Sequence, residues 1–373
     1  MISTNHMKKS EQHCIFFSGG GTLGPVTPLL AIHENLAKMF EQGYEPHWLG
    51  TRKGVERELV AKYNIPYTVL VAGKLRRYLS FWNFFDLAKL VIGFFQAIFL
   101  LLKFNPELCI SAGGYVSVPL HWAAWFLGIP TWIHQQDVQV SLANKLMKIP
   151  AHKITTVLEA QVPLFPKSKS SWLGNPVRTE IISGSQARAA QLFNLTPGLP
   201  VILVTGGGTG SQRLNQIIAE AVPHLKGICQ IIHLTGKERS QEMALHAQNI
   251  FGEYYHVRDF LTSEMKDVYA AATIVICRGG FGTLSELAAL KKCAIVVPKP
   301  GHQEENVKFF ADKGAIKFVD ENRADGNYLA RLIKELLAKK EERSLLAHNL
   351  HALLPPAEPE RIVEIVKKIL LIK

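Results

Sequence analysis

The stretch Cys14-Ile-Phe-Phe-Ser-Gly-Gly-Gly-Thr-Leu-Gly24 is a run of apolar residues that leads into a glycine turn. The stretch Val201-Ile-Leu-Val-Thr-Gly-Gly-Gly-Thr-Gly210 repeats this design in the second half of the chain. Each is followed by a pattern typical of a helix, over Pro28–Met39 and Leu214–Leu225. Continuous apolar strands that alternate with helices are typical of parallel sheets covered on both faces. The duplication therefore predicts two α/β domains of Rossmann-like architecture.

Other apolar runs have the length of buried strands and support this prediction. They are Leu108–Ser111, Thr131–Ile133, Ile231–Leu234, Ile274–Cys277 and Ala294–Val297. A polar stretch with glycine near Leu173–Ser185 predicts the domain boundary. We assign residues 1–178 to an N-terminal domain and residues 179–355 to a C-terminal domain. Residues 356–373 hold an amphipathic helix, Glu360–Leu371, for which packing back on the N-terminal domain is a candidate arrangement.

The composition indicates a globular protein rather than a disordered or secreted one. Of the 373 residues, 47% are hydrophobic and 20% are charged, which is enough apolar material for two cores. Residues 1–11 lack the apolar region of a secretory signal, and none of the five cysteines forms a Cys-x-x-Cys pair. We therefore expect a cytosolic protein with buried free thiols. The net charge of +11 favours an anionic partner such as a nucleic acid, an acidic lipid or a phosphorylated substrate.

One segment is unusually apolar for a soluble domain. Leu90–Leu102 is interrupted only by Gln96, and Asp86 and Lys89 shorten the run below the about 20 residues that a spanning helix needs. Aromatic and basic residues flank it: Tyr78, Phe81, Trp82, Phe84, Phe85, Lys74, Arg76, Arg77, Lys89 and Lys103. This combination favours a helix that lies on an anionic membrane surface. A buried core helix is the alternative.

Glycine turns after strands are suited to phosphate groups, because backbone N–H groups can approach an anion closely and the next helix begins there. Gly19-x-Gly21-x-x-Gly24 matches the dinucleotide fingerprint, but the acid expected about 20 residues later is absent. The second strand, Pro46–Leu49, runs instead into Gly50-Thr51-Arg52, so a nicotinamide dehydrogenase stays open only through Arg52 and has poor support. Further glycine turns occur at Ala112–Ser117 and Cys277–Glu286. Four such turns together favour a phosphate-bearing ligand over turns without a ligand.

The turn at Cys277–Glu286 also carries polar side chains that suit a nucleotide. Thr283 or Ser285 is a candidate cap for the helix that follows. Glu286 would lie near the carboxyl edge of the sheet, where a carboxylate can accept two hydrogen bonds from a ribose diol. The alternative role of Glu286 is that of a capping-box or helix-dipole acid.

A series of motifs, in order and spacing, gives the chain a resemblance to a known family. They are Gly20-Gly21-Thr22-x-Gly24, Trp48–Thr51, Gly113–Ser117, Leu127–Pro130, Gly174–Thr179, Leu214-Asn215, Cys277–Glu286 and His302-Gln303-x-x-Asn306. The sequence resembles the MurG-type peptidoglycan glycosyltransferases over nearly its whole length. The resemblance implies the GT-B fold, in which two Rossmann-like domains face each other across a cleft with their parallel sheets.

The resemblance also implies the reaction. It is an inverting transfer of N-acetylglucosamine from its UDP donor to undecaprenyl-diphosphate-linked N-acetylmuramyl-pentapeptide. The enzyme would act as a peripheral protein on the cytoplasmic face of the inner membrane, with an anionic membrane surface as partner, without nucleic acid, and without a metal or other cofactor. Two alternatives stay open: a glycolipid transferase with another acceptor, such as diacylglycerol, and a non-catalytic nucleotide-binding protein of the same fold.

By position, the resemblance implies roles for individual residues. In the second domain Glu286 would bind the ribose of the donor, Gln303 would contact its sugar and His302 would lie in the donor pocket. Gly207, Gly208 and Thr209 would line the diphosphate or sugar. The remaining predicted substrate-binding residues are Thr22, Gly24, Asn175, Arg178, Asn215 and Thr283.

The chain departs from the family pattern at three loops. Gly20–Pro25 lacks the histidine that usually ends the first loop, His134-Gln135-Gln136-Asp137 replaces His-Glu-Gln-Asn, and Gly206–Ser211 replaces Gly-Gly-Ser-Gln-Gly-Ala. An inverting transfer needs a base near the acceptor hydroxyl. We therefore predict Asp137 as the base, with His134 orienting it or the acceptor. The alternative is that Asp137 caps the following helix.

Overall fold

The structure, a computed structural model, describes residues 12–40, 43–73 and 82–371, without the side chains of residues 82–85 and 302. The described part leaves out the polar N-terminus, residues 1–11, and the flanking residues Lys74, Arg76, Arg77, Tyr78 and Phe81. It also leaves out the side chain of His302, which was predicted to lie in the donor pocket. The aromatic side chains of Trp82, Phe84 and Phe85 lie outside it as well.

The first domain is a parallel sheet of seven strands with helices on both faces. Its elements are β1 (His13–Ser18), α1 (Thr27–Phe40), β2 (Tyr44–Gly50), α2 (Glu56–Ala61), β3 (Tyr67–Val69), α3 (Trp82–Phe104), β4 (Leu108–Ser111), α4 (Ser117–Phe126), β5 (Thr131–Gln135), α5 (Leu142–Met147), β6 (Lys153–Thr156) and β7 (Ser170–Trp172). The strand order β3-β2-β1-β4-β5-β6-β7 reverses between β1 and β4. Ligands of such sheets bind at this reversal, beyond the carboxyl ends of the strands.

The second domain repeats the design with six parallel strands. Its elements are α6 (Thr179–Ile182), α7 (Gln186–Phe193), β8 (Val201–Thr205), α8 (Gln212–Ala221), β9 (Gln230–Leu234), α9 (Glu242–Phe251), β10 (Tyr255–Arg258), α10 (Met265–Ala271), β11 (Ala272–Cys277), α11 (Phe281–Ala289), β12 (Cys293–Val296), α12 (His302–Asp312), β13 (Lys317–Phe318), α13 (Gly326–Ala338) and α14 (Lys340–Leu353). The strand order is β10-β9-β8-β11-β12-β13, which reverses between β8 and β11. The predicted pair of Rossmann-like sheets is confirmed.

The chain returns to the first domain at its end. Helix α15 (Pro359–Leu370) packs against α1 and buries Ile362 and Val366 in the core on that face of the first sheet. The return is anchored by backbone bonds of Asn175, which donates to the carbonyl of Pro355 at 2.9 Å and accepts from the N–H of Ala357 at 2.8 Å. The C-terminal helix therefore belongs to the core of the first domain.

The two faces of the first sheet are covered by different helices. Phe16 and Cys109 pack with α3 and α4, whereas their neighbours Phe17 and Ile110 pack with α1 and α15. This alternation is the period of two that a strand imposes on its side chains. All five cysteines are buried and free, as predicted.

Helix α3 is longer than the predicted apolar run. By length and composition alone, Asp86–Phe104 is sufficient to cross a membrane, with a mean hydropathy of 2.0. One side of the helix nevertheless packs on the protein, because Ala97 and Leu101 are buried. Gln96 also fixes α3 to the end of β3: its Oε1 accepts from the N–H of Val71 and its Nε2 donates to the carbonyl of Val69, both at 2.8 Å. Gln96, which interrupts the apolar run, therefore attaches α3 to the end of β3.

Candidate functional site

The glycine loops of the two domains meet across a cleft at the carboxyl edges of their sheets. A methyl group placed on Gly208, in the loop after β8, would lie 3.3 Å from Cδ1 of Leu23, in the loop after β1. A methyl group on Gly282 in α11 would lie 2.9 Å from Oγ1 of Thr27, the first residue of α1. The first turns of α1 and α11 therefore approach each other at the cleft. Helix N-termini carry unpaired N–H groups and partial positive charge, so this region suits phosphate groups.

On the side of the second domain, Glu286 is held by two neighbours. Its Oε1 accepts from Nη2 of Arg178 at 2.6 Å and its Oε2 accepts from the hydroxyl of Tyr269 at 3.1 Å. Burial and the adjacent Glu286 raise the pKa of Tyr269 well above its usual value, so the phenol stays a donor. A carboxylate has about four acceptor positions. The two contacts therefore orient Glu286 and leave capacity for the two hydroxyls of a ribose.

Arg178 is charged despite its burial. Burial alone would lower its pKa, but Glu286 and Tyr63 more than offset this effect and raise it. Its Nε atom has no hydrogen-bond partner within the described ranges, and the same holds for Oδ1 of Asn175 and Oγ of Ser285. Nδ2 of Asn175 donates to the carbonyl of Ser285 at 3.0 Å, so these groups are close together. Buried polar atoms without a partner are costly, which indicates that a ligand or water completes the hydrogen bonds here.

Asn215, a predicted substrate-binding residue, holds the end of β9 and the loop that follows it, which contacts the loop after β8. Nδ2 of Asn215 donates to the carbonyl of Thr235 at 3.0 Å, and its Oδ1 lies 3.1 Å from Nε2 of His233. Burial lowers the pKa of His233 to about 3, so the ring is neutral. Asn215 is 2% exposed, and the loop that it holds contains Lys237, whose N–H donates to the carbonyl of Gly208 at 3.3 Å. Its contacts indicate direct support of the loop after β9, and only through that loop of Gly207, Gly208 and Thr209.

The loop after β1 is supported by a residue that sequence reasoning missed. Glu56 is fully buried, and its carboxylate accepts from the N–H of Gly21 at 3.2 Å, the N–H of Thr51 at 2.9 Å and the hydroxyl of Tyr67 at 3.2 Å. The predicted acceptor-side residues Thr22 and Gly24 follow directly in this loop, with Thr22 exposed. Glu56 therefore fixes the conformation of the loop that carries them.

We expect Glu56→Gln to weaken acceptor binding more than donor binding. An amide in place of the carboxylate leaves a buried donor such as the N–H of Gly21 unpaired, at a cost of about 1–3 kcal/mol. Thermal unfolding should show this loss, and KM for the acceptor should rise while KM for the donor stays constant. Glu58→Gln on the same helix is the matched control, because Glu58 is exposed in a surface ion pair. A destabilised Glu56→Gln variant with both KM values unchanged would contradict a role of this loop in acceptor binding.

The predicted base lies where the two domains touch. Oδ1 of Asp137 accepts from Nδ2 of Asn306 in α12 at 2.9 Å, and Oδ1 of Asn306 accepts from the N–H of Val138 at 2.9 Å. Asp137 does not cap the following helix: the N-cap of α5 is Ser141, whose side chain accepts from the N–H of Asn144. The capping alternative is therefore wrong, and Asp137 joins the domains at the cleft.

His134 is placed differently from what its predicted role requires. The ring is fully buried, and its Nδ1 lies 2.8 Å from Oγ1 of Thr155 on the neighbouring strand. Burial lowers its pKa to about 3, so the ring is neutral. This position speaks against a direct contact between His134 and an acceptor sugar.

The remaining predicted residues lie on α11 and α12. The N-cap of α11 is Gly280, so the predicted capping role of Thr283 or Ser285 is wrong and both lie inside the helix. The side chain of Gln303 accepts from the N–H of Lys299 at 3.3 Å, in the first turn of the helix that also carries Asn306. Within the described residues, no group of three or more His, Cys, Asp or Glu side chains is arranged to hold a metal ion.

These features define the fold, and the comparison with family models defines the class of protein. Two doubly wound α/β domains whose glycine loops meet across a cleft form the GT-B architecture, which also occurs in the UDP-N-acetylglucosamine 2-epimerase of Neisseria meningitidis, with a TM-score of 0.66 at 14% identity over 96% of this chain and 100% of that one. The models of the glycosyltransferase family 28 N-terminal and C-terminal domains match residues 15–156 and 201–354. The chain belongs to glycosyltransferase family 28.

Individual relatives support this assignment. The chain is 36% identical over 305 residues to the UDP-N-acetylglucosamine–N-acetylmuramyl-(pentapeptide) pyrophosphoryl-undecaprenol N-acetylglucosamine transferase of Lachnoclostridium phytofermentans, covering 80% of this chain and 84% of that protein. Its identity to the enzyme of the same name from Staphylococcus aureus strain USA300 is 35% over 343 residues, covering 90% and 93%. The crystal structure of Acinetobacter baumannii MurG has the same fold, with a TM-score of 0.69 at 23% identity over 95% of this chain and 99% of that one.

Proposed function

We propose that this chain transfers N-acetylglucosamine from UDP-N-acetylglucosamine to undecaprenyl-diphosphate-linked N-acetylmuramyl-pentapeptide, with inversion at the anomeric carbon. The observation that carries the proposal is the match to relatives named for this reaction, which spans both domains and the cleft between them. The chain is a glycosyltransferase on the strength of both family domains.

The geometry of the cleft suits this reaction. The donor lies against the second domain, with its ribose on Glu286 and its diphosphate near the N-terminus of α11 and Arg178. The N-terminus of α11 and the guanidinium of Arg178 stabilise the negative charge that develops on UDP as it leaves. The diphosphate of the acceptor lies at the loop after β1 and the N-terminus of α1. The acceptor hydroxyl then forms a bond to the anomeric carbon while the bond to UDP breaks, and its proton passes to Asp137.

A panel of donors and acceptors tests the proposal. Purified protein is incubated with radiolabelled UDP-N-acetylglucosamine or UDP-glucose, and with the lipid-linked muramyl-pentapeptide or diacylglycerol. We expect turnover only with UDP-N-acetylglucosamine and the muramyl-pentapeptide lipid. Transfer to diacylglycerol would favour a glycolipid transferase with another acceptor, and UDP binding without turnover on any acceptor would favour a non-catalytic protein.

We also propose that the protein acts as a peripheral protein on the cytoplasmic face of the inner membrane, with an anionic surface as partner. The support is an apolar surface on α3 and the end of α4, on the face of the first sheet away from α15. Its members are between 51% and 67% exposed: Leu87, Val91, Ile92, Phe95, Phe99, Leu102, Trp125 and Phe126. Large contiguous apolar patches mark interaction sites, and a membrane suits one that basic side chains such as Lys89 and Lys103 border.

We expect the double variant Phe95→Asp, Phe99→Asp to lose flotation with liposomes that contain phosphatidylglycerol or cardiolipin. These rings are 63% and 65% exposed, whereas Phe94 packs against the core between α3 and α4, so they can change without loss of the fold. Leu345→Asp in the second domain is the matched control, because Leu345 is 60% exposed. Equal recovery of wild type and double variant would reject the apolar surface as the contact. Resistance of the wild type to carbonate extraction would show that α3 spans the bilayer.

A further inference from the structure

A second cavity lies far from the cleft, between the edge of the first sheet and α15. Its volume is about 390 Å³, and its walls include His152, Lys153, Lys169 and Trp172 from β6, β7 and their approaches, with Arg361 and Lys368 from α15. The cavity follows β7, the edge strand of the first sheet, from Lys169 just before the strand to Trp172 at its end. The glycine loop of the first domain follows β1, which is four strands away from β7 in the sheet. The cavity is therefore separate from the proposed transfer site.

The cavity is also separate from the apolar surface. Ile154, the next residue of β6, packs with Val118 of α4 on the face of the sheet that carries α3 and α4. Side chains alternate along a strand, so Lys153 points to the opposite face, which α15 covers. A protein that rests on a membrane through α3 and α4 would hold this cavity open to the solvent.

The walls of the cavity carry an excess of positive charge. Lys153, Lys169, Arg361 and Lys368 line it, and Glu364 is the carboxylate among its lining residues. Three of these cations have partners within the protein. The guanidinium of Arg361 donates to the carbonyl of Trp172 at 2.7 Å and lies over its ring, Lys169 donates to two backbone carbonyls at 2.9 Å, and Lys368 pairs with Glu364.

Lys153 is different from the other cations. Neither a hydrogen bond nor an ion pair engages its ammonium group in the part of the chain that the structure describes, and Ser171 offers a hydroxyl in the same wall. Burial and the nearby charge of Lys368 lower the pKa of Lys153. An anion between Lys153 and Lys368 would stabilise the charged form of Lys153. The anion offsets both the hydration that Lys153 loses on burial and the repulsion from Lys368.

We propose that this cavity binds a small soluble molecule through a phosphate group, whose oxygens accept from Lys153, Lys368 and Ser171. A phosphate is favoured over a carboxylate because it presents three or more acceptor oxygens to donors that converge from two strands and a helix. The volume exceeds that of inorganic phosphate alone, so the cavity has room for an organic part. A lipid headgroup is disfavoured because the cavity opens away from the apolar surface. This inference does not depend on the proposed transfer reaction.

Protection of Lys153 from acetylation tests the proposal at the site itself. The full-length protein is labelled with acetic anhydride at constant ionic strength, and the rate at each lysine is read by mass spectrometry. Inorganic phosphate at about ten times its Kd should slow labelling of Lys153 about tenfold, since only the unoccupied fraction reacts. Lys226, an exposed lysine in the second domain, serves as the reference and should be unaffected. Because the readout is local, phosphate bound in the cleft does not contribute to it.

Variants of Lys368 and competing anions distinguish a phosphate site from non-specific anion binding and from a lipid headgroup site. Lys368→Gln should raise the phosphate concentration needed for protection by about tenfold, as the loss of a charged hydrogen-bond partner implies, while Lys368→Arg and the neighbouring Lys367→Gln should not. Absence of saturable protection, or equal protection by acetate, would overturn the proposal. Protection by phosphatidylglycerol vesicles but not by phosphate would overturn the soluble ligand in favour of a lipid headgroup. Unfolding curves for each variant show whether the fold is retained.

Discussion

Asp137→Asn should lower kcat by about a hundredfold or more while the affinity for the donor stays constant. A general base typically contributes a factor of about a hundred to ten thousand, and an amide cannot accept a proton at neutral pH. The acidic limb of the pH–rate profile should disappear as well, because that limb reports protonation of the base. Steady-state kinetics across pH, together with calorimetric titration of UDP, measure these quantities.

The contact between Asp137 and Asn306 supplies a control that separates chemistry from domain closure. The Oδ1 atom of an asparagine at position 137 still accepts from Nδ2 of Asn306, so Asp137→Asn keeps the bridge between the domains. Asn306→Ala removes the bridge and keeps the carboxylate. A large loss in Asp137→Asn with a smaller one in Asn306→Ala supports the base. Near-normal turnover in Asp137→Asn, with a loss in Asn306→Ala, would show that Asp137 only joins the domains.

The sequence predicts the sheets well because their signals are local. A buried parallel strand is a continuous apolar run, so Leu108–Ser111 was predicted with the bounds that the structure shows, and β8, β9, β11 and β12 were predicted to within two residues at each end. Glycine turns such as Gly19–Gly24 mark the carboxyl edge for the same reason. Helix caps were predicted less well, because Gly280 and Ser141 compete with nearby residues of similar propensity.

The side-chain contacts that hold the site in place could not be predicted, because they join residues that are far apart in the chain. Arg178 and Glu286 are separated by 108 positions, and Asp137 and Asn306 by 169. Glu56 gave no signal in the sequence, since an acid at the start of a short helix is ordinary on a surface. Its burial under the loop after β1 follows only from the pairing of β1 with β2. Tertiary packing therefore decides which polar residues hold the loops.

Glu286→Gln should weaken UDP binding by about ten- to a hundredfold, since a charged hydrogen-bond partner of the ribose is worth about 1.5–3 kcal/mol. The structure adds a second effect, because the variant leaves the buried guanidinium of Arg178 without its carboxylate. Loss of one partner of a buried pair typically costs about 3–5 kcal/mol of stability, so unfolding must be measured beside binding.

The chain offers a matched control for that second effect. Arg278 and Glu321 form another pair in the same domain, with side chains 11% and 13% exposed against 11% and 10% for Arg178 and Glu286. Glu321→Gln should therefore lower the midpoint of thermal unfolding as much as Glu286→Gln does. If Glu286 binds the ribose, calorimetric titration with UDP will show the large loss of affinity in Glu286→Gln alone. Equal affinities for UDP in the two variants would instead assign Glu286 to the stability of the domain, with the ribose bound elsewhere in the cleft.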